Sequence, residues 1–155
     1  MSWLRRRIGT ERFDYECPRE KLPTKERPHF NTKQGRTYTP KRTQDTEKAI
    51  REAYQAQSRN DWHDHAGEVR VCIVVRRPLP RSAARKYEGS ADLMAPDVDN
   101  LSKAFLDSLN GLAYADDRQV TRLLVLRMPR APFRETATVR VRIDYYAETY
   151  SKEKK

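Results

Sequence analysis

Residues 98–128 read VDNLSKAFLDSLNGLAYADDRQVTRLLVLRM, and they contain the pattern of a helix followed by a strand. Leu101, Phe105 and Leu109 recur at the spacing of one helical face. Gly111 follows at the position where a glycine commonly ends a helix. The run of branched apolar residues at the end of the stretch is typical of a strand. These two elements and their short connection predict the centre of the fold.

Outside this stretch, the sequence predicts three more strands and one more helix. Alternation of Val69, Val71, Ile73 and Val75 with other residues is typical of a strand with one buried face. Thr43 is a suitable N-cap for a helix of about fifteen residues. The predicted elements are a strand at 13–17, a loop or hairpin at 18–42, a helix from 43, a strand at 68–77, a basic loop at 78–96, a helix at 98–110, and strands at 119–128 and 137–147. The fold class is therefore α+β, a small mixed sheet of about four to five strands packed against two main helices.

The length of 155 residues suits one domain. Residues 1–12 are predicted to be a basic N-terminal arm, residues 13–147 the folded domain and residues 148–155 a solvated tail. A membrane-spanning helix is excluded because no apolar run approaches about 18 residues, and the basic start of the chain lacks the apolar segment of an export signal. Cys17 and Cys72 are too few for a disulfide scaffold and lack zinc-site spacing, which fits a reducing cytoplasm. We expect a cytoplasmic protein that is associated with the nucleoid when it binds DNA.

The charge is strongly basic and unevenly distributed. With 32 Lys and Arg against 22 Asp and Glu, the formal net charge is +10. Such an excess indicates a polyanionic partner, nucleic acid first and an anionic membrane surface second. The membrane alternative is disfavoured because the basic residues lie on loops and strands rather than along an amphipathic helix. Two runs without an acidic residue, 27–42 and 70–86, are candidate DNA contacts or, alternatively, a solvated basic surface. The candidate DNA-binding residues are Arg27, Lys33, Arg36, Lys41, Arg42, Arg76, Arg77, Arg81, Arg85 and Lys86.

Residues 97–117 reverse the sign of the charge. Five aspartates stand there against the single cation Lys103, a net charge of −4. Asp97 and Asp99 lie at the start of the predicted helix, and Lys103 is one turn beyond Asp99 on the same face. If the chain turns back toward the helix start after Gly111, the carboxylates at positions 116 and 117 join this site.

Clustered carboxylates repel one another unless a cation or a proton neutralises them. A site of oxygen ligands alone favours Mg²⁺ or Mn²⁺ over zinc. Such an ion stabilises charge on a phosphodiester oxygen and lowers the pKa of bound water, and Lys103 would orient the attacking water or offset transition-state charge. The alternative is that Asp97 and Asp99 only cap the helix, while Asp116 and Asp117 only form a turn.

The run DVDNLSK at 97–103, followed by LDSLNG at 106–111 and DDRQ at 116–119, resembles the RusA-type Holliday-junction resolvase family. Upstream, RPHF at 27–30 and YTPK at 38–41 resemble its N-terminal basic segment, although an arginine would be more typical than His29. The resemblance spans roughly residues 13–147. It implies a small α+β domain that forms a symmetric homodimer with a Mg²⁺-dependent site in each subunit. Members of this family nick two opposed strands of a four-way DNA junction, in recombination and repair.

By the same resemblance, the essential carboxylates are Asp97, Asp99 and Asp117, which are also the metal ligands, and the catalytic lysine is Lys103. Asp116 adjoins the third carboxylate and would share in metal binding. Two alternatives stay open: a metal nuclease that acts on flaps, replication forks or RNA, and a nucleic-acid-binding protein without catalysis. An apolar pair just before the site, residues 93 and 94, would insert into the open centre of a junction or pack against a second subunit.

Overall fold

The computed structural model describes residues 6–18 and 21–147. The elements are β1 (Arg7–Glu16), β2 (His29–Asn31), β3 (Arg36–Tyr38), α1 (Lys41–Gln57), β4 (Val69–Arg76), α2 (Val98–Leu109), β5 (Val120–Arg127) and β6 (Thr138–Tyr146). Short 3-10 turns lie at Arg85–Tyr87 and Asp117–Gln119. The predicted α+β class is confirmed, with a four-stranded mixed sheet, two helices and a separate β2–β3 hairpin.

The strand order of the main sheet is β1-β6-β4-β5. β6 is antiparallel to both of its neighbours, whereas β4 and β5 are parallel. Because parallel strands need a crossover from one end of the sheet to the other, α2 runs back along β4 before β5 begins. At the amino end of α2, Arg127 donates a hydrogen bond to the Pro96 carbonyl at 2.8 Å. Beyond the carboxyl end of α2, the Tyr145 hydroxyl donates a hydrogen bond to the Ala113 carbonyl at 2.7 Å. The two ends of α2 therefore lie at opposite ends of the sheet.

The core lies between one face of the sheet and the two helices. The alternate β4 residues Val69–Val75 are buried, as their pattern predicted, and they join apolar side chains from both helices. Two edge-to-face ring pairs connect β1 to the helices: Phe13 with Tyr54 at 5.5 Å, and Tyr15 with Phe105 at 5.9 Å between centroids. This packing holds α2 in a fixed position against the sheet. Among the described residues, none of the helices is long and apolar enough to cross a bilayer.

The prediction of an N-terminal arm is wrong for residues 7–12, which belong to β1 and pair with β6. Thr10 donates its hydroxyl to the Asp144 carboxylate at 2.6 Å, and Arg7 lies 3.5 Å from the same carboxylate. The first five residues of β1, RIGTE, contain a single large apolar side chain, so the sequence there gives no apolar alternation. Residues 1–5 of the predicted arm and the predicted tail at 148–155 lie outside the described residues.

Thr43 is not the N-cap of α1, because the helix begins at Lys41 with Pro40 as its N-cap. The backbone of Pro40 has φ −54°, which the proline ring itself favours. Thr43 is buried, and its hydroxyl accepts a hydrogen bond from the Glu26 backbone amide at 3.3 Å. The side chain therefore connects the helix to the preceding loop instead of capping it.

Candidate active site

The amino end of α2 presents two aspartates and a lysine. Asp97 is the N-cap residue, and within the part of the chain that the structure describes its carboxylate makes no capping hydrogen bond. Asp99 lies in the first turn, and both aspartates are exposed, as is Lys103. The interpretation that Asp97 serves only as a helix cap is therefore not supported. Two carboxylates at the start of α2, and one ammonium group a turn beyond Asp99, therefore face solvent.

The opposite end of α2 leads to a tight turn that contains the other two aspartates. The Asp116 carboxylate accepts hydrogen bonds from the Arg118 backbone amide at 2.9 Å and from its guanidinium at 2.7 Å. These side-chain and backbone hydrogen bonds hold the pKa of Asp116 well below its ordinary value. Asp116 is thus engaged in forming the turn, whereas Asp117 is exposed.

Gln119 fixes this turn against the start of β4. Its side-chain oxygen accepts from the Asp116 amide at 2.8 Å, and its nitrogen donates to the carbonyls of His65 and Gly67 at 2.6 and 2.7 Å. All of these groups lie at the amino ends of β4 and β5. The backbone that carries Asp117 is therefore held in a defined place.

Asp97 and Asp117 are separated by the length of α2. Twelve helical residues span about 18 Å at 1.5 Å per residue. The connection after Gly111 does not return to the start of the helix but continues into β5. Accordingly, residues 6–18 and 21–147 contain no group of three or more His, Cys, Asp or Glu side chains placed to hold a metal ion. One chain thus brings Asp97, Asp99 and Lys103 to one end of α2, and Asp116 and Asp117 to the other.

Comparison with known protein families identifies the family of this chain. The chain matches the family described as Endodeoxyribonuclease RusA over residues 21–146. The chain belongs to the RusA family. The match includes both ends of α2 and all of the elements from β2 to β6. A search among curated proteins gave no match. RusA is a family of endodeoxyribonucleases, so the exposed carboxylates stand in a nuclease fold.

Most of the predicted DNA-binding residues of this RusA chain are exposed. Lys33 and Arg36 project from the β2–β3 hairpin, and Lys41 and Arg42 from the first turn of α1. Arg76 ends β4, and its guanidinium lies 2.8 Å from the Glu135 carboxylate. The exposed members of the predicted set are Arg27, Lys33, Arg36, Lys41, Arg42, Arg76, Arg81, Arg85 and Lys86.

Arg77, the remaining member of the predicted DNA-binding set, is placed differently from the other nine. Its side chain is almost buried, and its guanidinium lies 2.5 Å from the carboxylate of Asp92. A run of basic residues in the sequence does not show which of their side chains point into solvent. Arg77 directly follows β4, and its side chain points inward to the buried carboxylate of Asp92.

Two features of this RusA chain were not predicted from the sequence. The first is Asp92, which is buried among arginines although it lies in a polar loop. The second is the apolar surface of β5, where Leu123 and its neighbour Leu124 point to opposite faces of the sheet and both stay exposed. Two adjacent leucines in a strand are the signal that could have shown this surface, since a strand with one buried face needs only one of them.

Proposed function

We propose that this RusA protein is a Mg²⁺-dependent endodeoxyribonuclease that resolves four-way DNA junctions by paired nicks in opposed strands, in recombination and repair. The observation that carries the proposal is the pair of exposed carboxylates at the start of α2, in a chain of an endodeoxyribonuclease family. Asp97 and Asp99 are positioned by a helix whose other face is buried in the core. A nuclease needs such a rigidly held anionic site.

The donor atoms fit a divalent metal ion. Asp97 and Asp99 would hold Mg²⁺ through carboxylate oxygens, the ligands that this hard cation prefers, and Mn²⁺ suits the same donors. When bound, the ion supplies Lewis-acid stabilisation of the phosphodiester oxygen and a more acidic bound water. Lys103 presents its ammonium group on the same side of α2 as Asp99, where it would offset negative charge that develops on the phosphate.

The third carboxylate comes from a second subunit. β5 forms one edge of the sheet and carries the exposed side chains of Leu123, Leu124 and Leu126. An edge strand with apolar side chains is suited to pair with another chain. Pairing β5 with its copy in antiparallel orientation would place the start of one strand beside the end of the other. This arrangement defines a symmetric homodimer.

Such a dimer explains why one chain separates its aspartates. Asp117 directly precedes β5, whereas Arg127 at the end of β5 contacts Pro96, next to Asp97. Antiparallel pairing therefore brings Asp117 of one subunit toward Asp97 and Asp99 of the partner subunit. Two equivalent sites related by a two-fold axis then match two opposed strands of a junction.

The basic surface supplies affinity for the phosphates of the junction. Each chain carries a formal net charge of +10, so a dimer attracts DNA strongly, and salt weakens this attraction. The exposed hairpin residues Lys33 and Arg36 are proposed to contact the phosphate backbone. Such contacts position the DNA but do not select its sequence.

The proposal is tested with a synthetic four-way junction in which each strand is labelled in turn. Wild type, Asp99→Asn and Asp45→Asn are compared in Mg²⁺ and in EDTA, beside a linear duplex of matched sequence. Asp45 is an exposed aspartate on α1 and serves as the control. We expect paired nicks in opposed strands with wild type and the control, only in Mg²⁺. Asp99→Asn should bind the junction and lose about 100-fold or more in rate.

Other outcomes would contradict the proposal. Tight junction binding by wild type without nicking in Mg²⁺ or Mn²⁺ would indicate a binding protein without catalysis. Faster cleavage of flaps, forks or RNA than of the junction would indicate a nuclease with another substrate.

A further inference from the structure

A buried ionic cluster lies directly before the candidate active site. The side chain of Asp92 is only 1% exposed, and three arginines surround its carboxylate. Arg77 approaches it at 2.5 Å, Arg130 at 3.1 Å and Arg127 at 3.2 Å. A buried aspartate that is satisfied in this way has its oxygens occupied and is not a further metal ligand.

Two of these arginines also bind the backbone that follows Asp92. Arg77 donates to the Ala95 carbonyl at 2.7 Å and to the Met94 carbonyl at 3.1 Å. Arg127 donates to the Pro96 carbonyl at 2.8 Å and also to the Met94 carbonyl. Three consecutive carbonyls, at positions 94–96, are therefore held immediately before Asp97. The arginines themselves lie at the carboxyl ends of the parallel strands β4 and β5.

Hydrophobic burial does not hold this segment in place. The side chain of Leu93 is 88% exposed and that of Met94 is 60% exposed. A loop whose large apolar side chains point into solvent gains little from the core, so its conformation depends on the polar contacts to its backbone. Those contacts come from guanidinium groups that Asp92 orients and whose charge it partly offsets.

The electrostatics agree with this arrangement. Burial alone would raise the pKa of Asp92, but the hydrogen bonds and charges of Arg77 and Arg127 outweigh it and lower the pKa below its ordinary value. Asp92 is therefore ionised at neutral pH. Without this anion, the three arginines would repel one another in a nearly buried space.

We infer that Asp92 is a positioning residue of the nuclease site: acting through Arg77 and Arg127, it fixes the backbone at 94–96 and thereby the place of Asp97 at the start of α2. The inference rests on the proposed function, because it assigns Asp97 to the catalytic site. Asp92 itself does not touch the reacting atoms. Its effect is to hold the Asp97 carboxylate where the metal ion and the phosphate require it.

The test uses two variants and one matched control in the full-length protein. Asp92→Asn removes the central anion, and Arg127→Met removes one pair of backbone contacts while Asp92 keeps two arginines. The control is Asp144→Asn, because Asp144 is also largely buried and lies 2.8 Å from Arg142, on β6 away from α2. The first readout, which needs no enzymatic activity, is hydrogen exchange of two hydrogen-bonded amides: Met94, which donates to the Asp92 carboxylate at 3.4 Å, and Leu101, which donates to the Asp97 carbonyl at 3.2 Å. The second is the single-turnover nicking rate as a function of Mg²⁺ concentration, per folded molecule.

We expect both variants to exchange the Met94 and Leu101 amides at least about 10-fold faster than the control, which should match wild type there. Nicking should slow by about 10- to 100-fold, with a higher Mg²⁺ concentration needed for half of the maximal rate and with junction binding in EDTA changed less than about twofold.

Unchanged exchange of the Met94 and Leu101 amides in both variants would overturn the inference, whatever the activity. Faster exchange with the same nicking rate and Mg²⁺ dependence as the control would also overturn it, since the segment would be loosened without affecting the site. If wild type does not nick the junction at all, the proposed function fails, and the exchange experiment still decides whether Asp92 fixes the segment.

Discussion

Asp97 and Asp99 lie at the start of α2, and Asp116 and Asp117 lie at the start of the turn before β5. Their contacts give these four aspartates different roles. Asp97 and Asp116 are both N-cap residues, but Asp116 is bonded to Arg118 and Gln119, whereas Asp97 is exposed at the start of α2. The motif in the sequence predicted all of these carboxylates as one group. It could not separate them, because a rotamer and its bonding partner are set by the local fold. For the same reason, the burial of Asp92 was not predicted.

The ionic cluster around Asp92 predicts that the stability of the protein depends on pH. The pKa of Asp92 is lower in the folded chain than the unfolded value of about 3.9. Its contribution to stability is therefore complete above that value and is lost as the pH falls through the folded pKa. We expect Asp92→Asn to lower the free energy of unfolding by about 3 kcal/mol at pH 7, and the gap to wild type to narrow below about pH 4. Denaturant unfolding from pH 7 to pH 2 measures both. A gap that stays constant down to pH 2 would contradict the ion-pair account.

Among the elements, those with a regular apolar period were predicted well. The helix predicted at 98–110 is observed as Val98–Leu109, and the strands predicted at 119–128 and 137–147 are observed as Val120–Arg127 and Thr138–Tyr146. Local periodicity carries this information because each element buries one face. Strand order is set by pairing between distant segments, so the edge position of β5 could not be read from its own residues. The separation of Asp117 from Asp97 follows from that order.

The exposed edge of β5 gives a prediction for this element. If β5 pairs with its copy, Leu124→Glu introduces charge into the interface and should weaken dimerisation by roughly 30-fold or more, which corresponds to about 2 kcal/mol at an interface centre. The matched control is Ile8→Glu on β1, the opposite edge of the sheet, since Ile8 is 42% exposed and Leu124 is 47% exposed. Sedimentation equilibrium measures the dissociation constants. If both substitutions weaken dimerisation equally, or if neither weakens it, the interface does not lie at β5.

At the scale of the whole molecule, the fold explains how one small domain makes a site from distant residues. The crossover from β4 through α2 to β5 sends the two acidic groups to opposite ends of the sheet. In the proposed dimer, a second copy in antiparallel orientation would bring those two ends together. The resemblance of the motifs implied a homodimer, and the direction of α2 gives a physical reason to propose one.

A complementation experiment tests whether two subunits share one site: Asp99→Asn and Asp117→Asn are each purified alone and then mixed. In a mixed dimer, one site would contain both substitutions. The other site would be intact, because it takes Asp99 from the Asp117→Asn subunit and Asp117 from the Asp99→Asn subunit. We therefore predict that each variant alone fails to nick a four-way junction, while co-refolded mixtures nick it in Mg²⁺, with one strand cut per mixed dimer. If wild type nicks the junction and the mixture stays as inactive as its components, the site does not combine residues of two subunits and the account is contradicted.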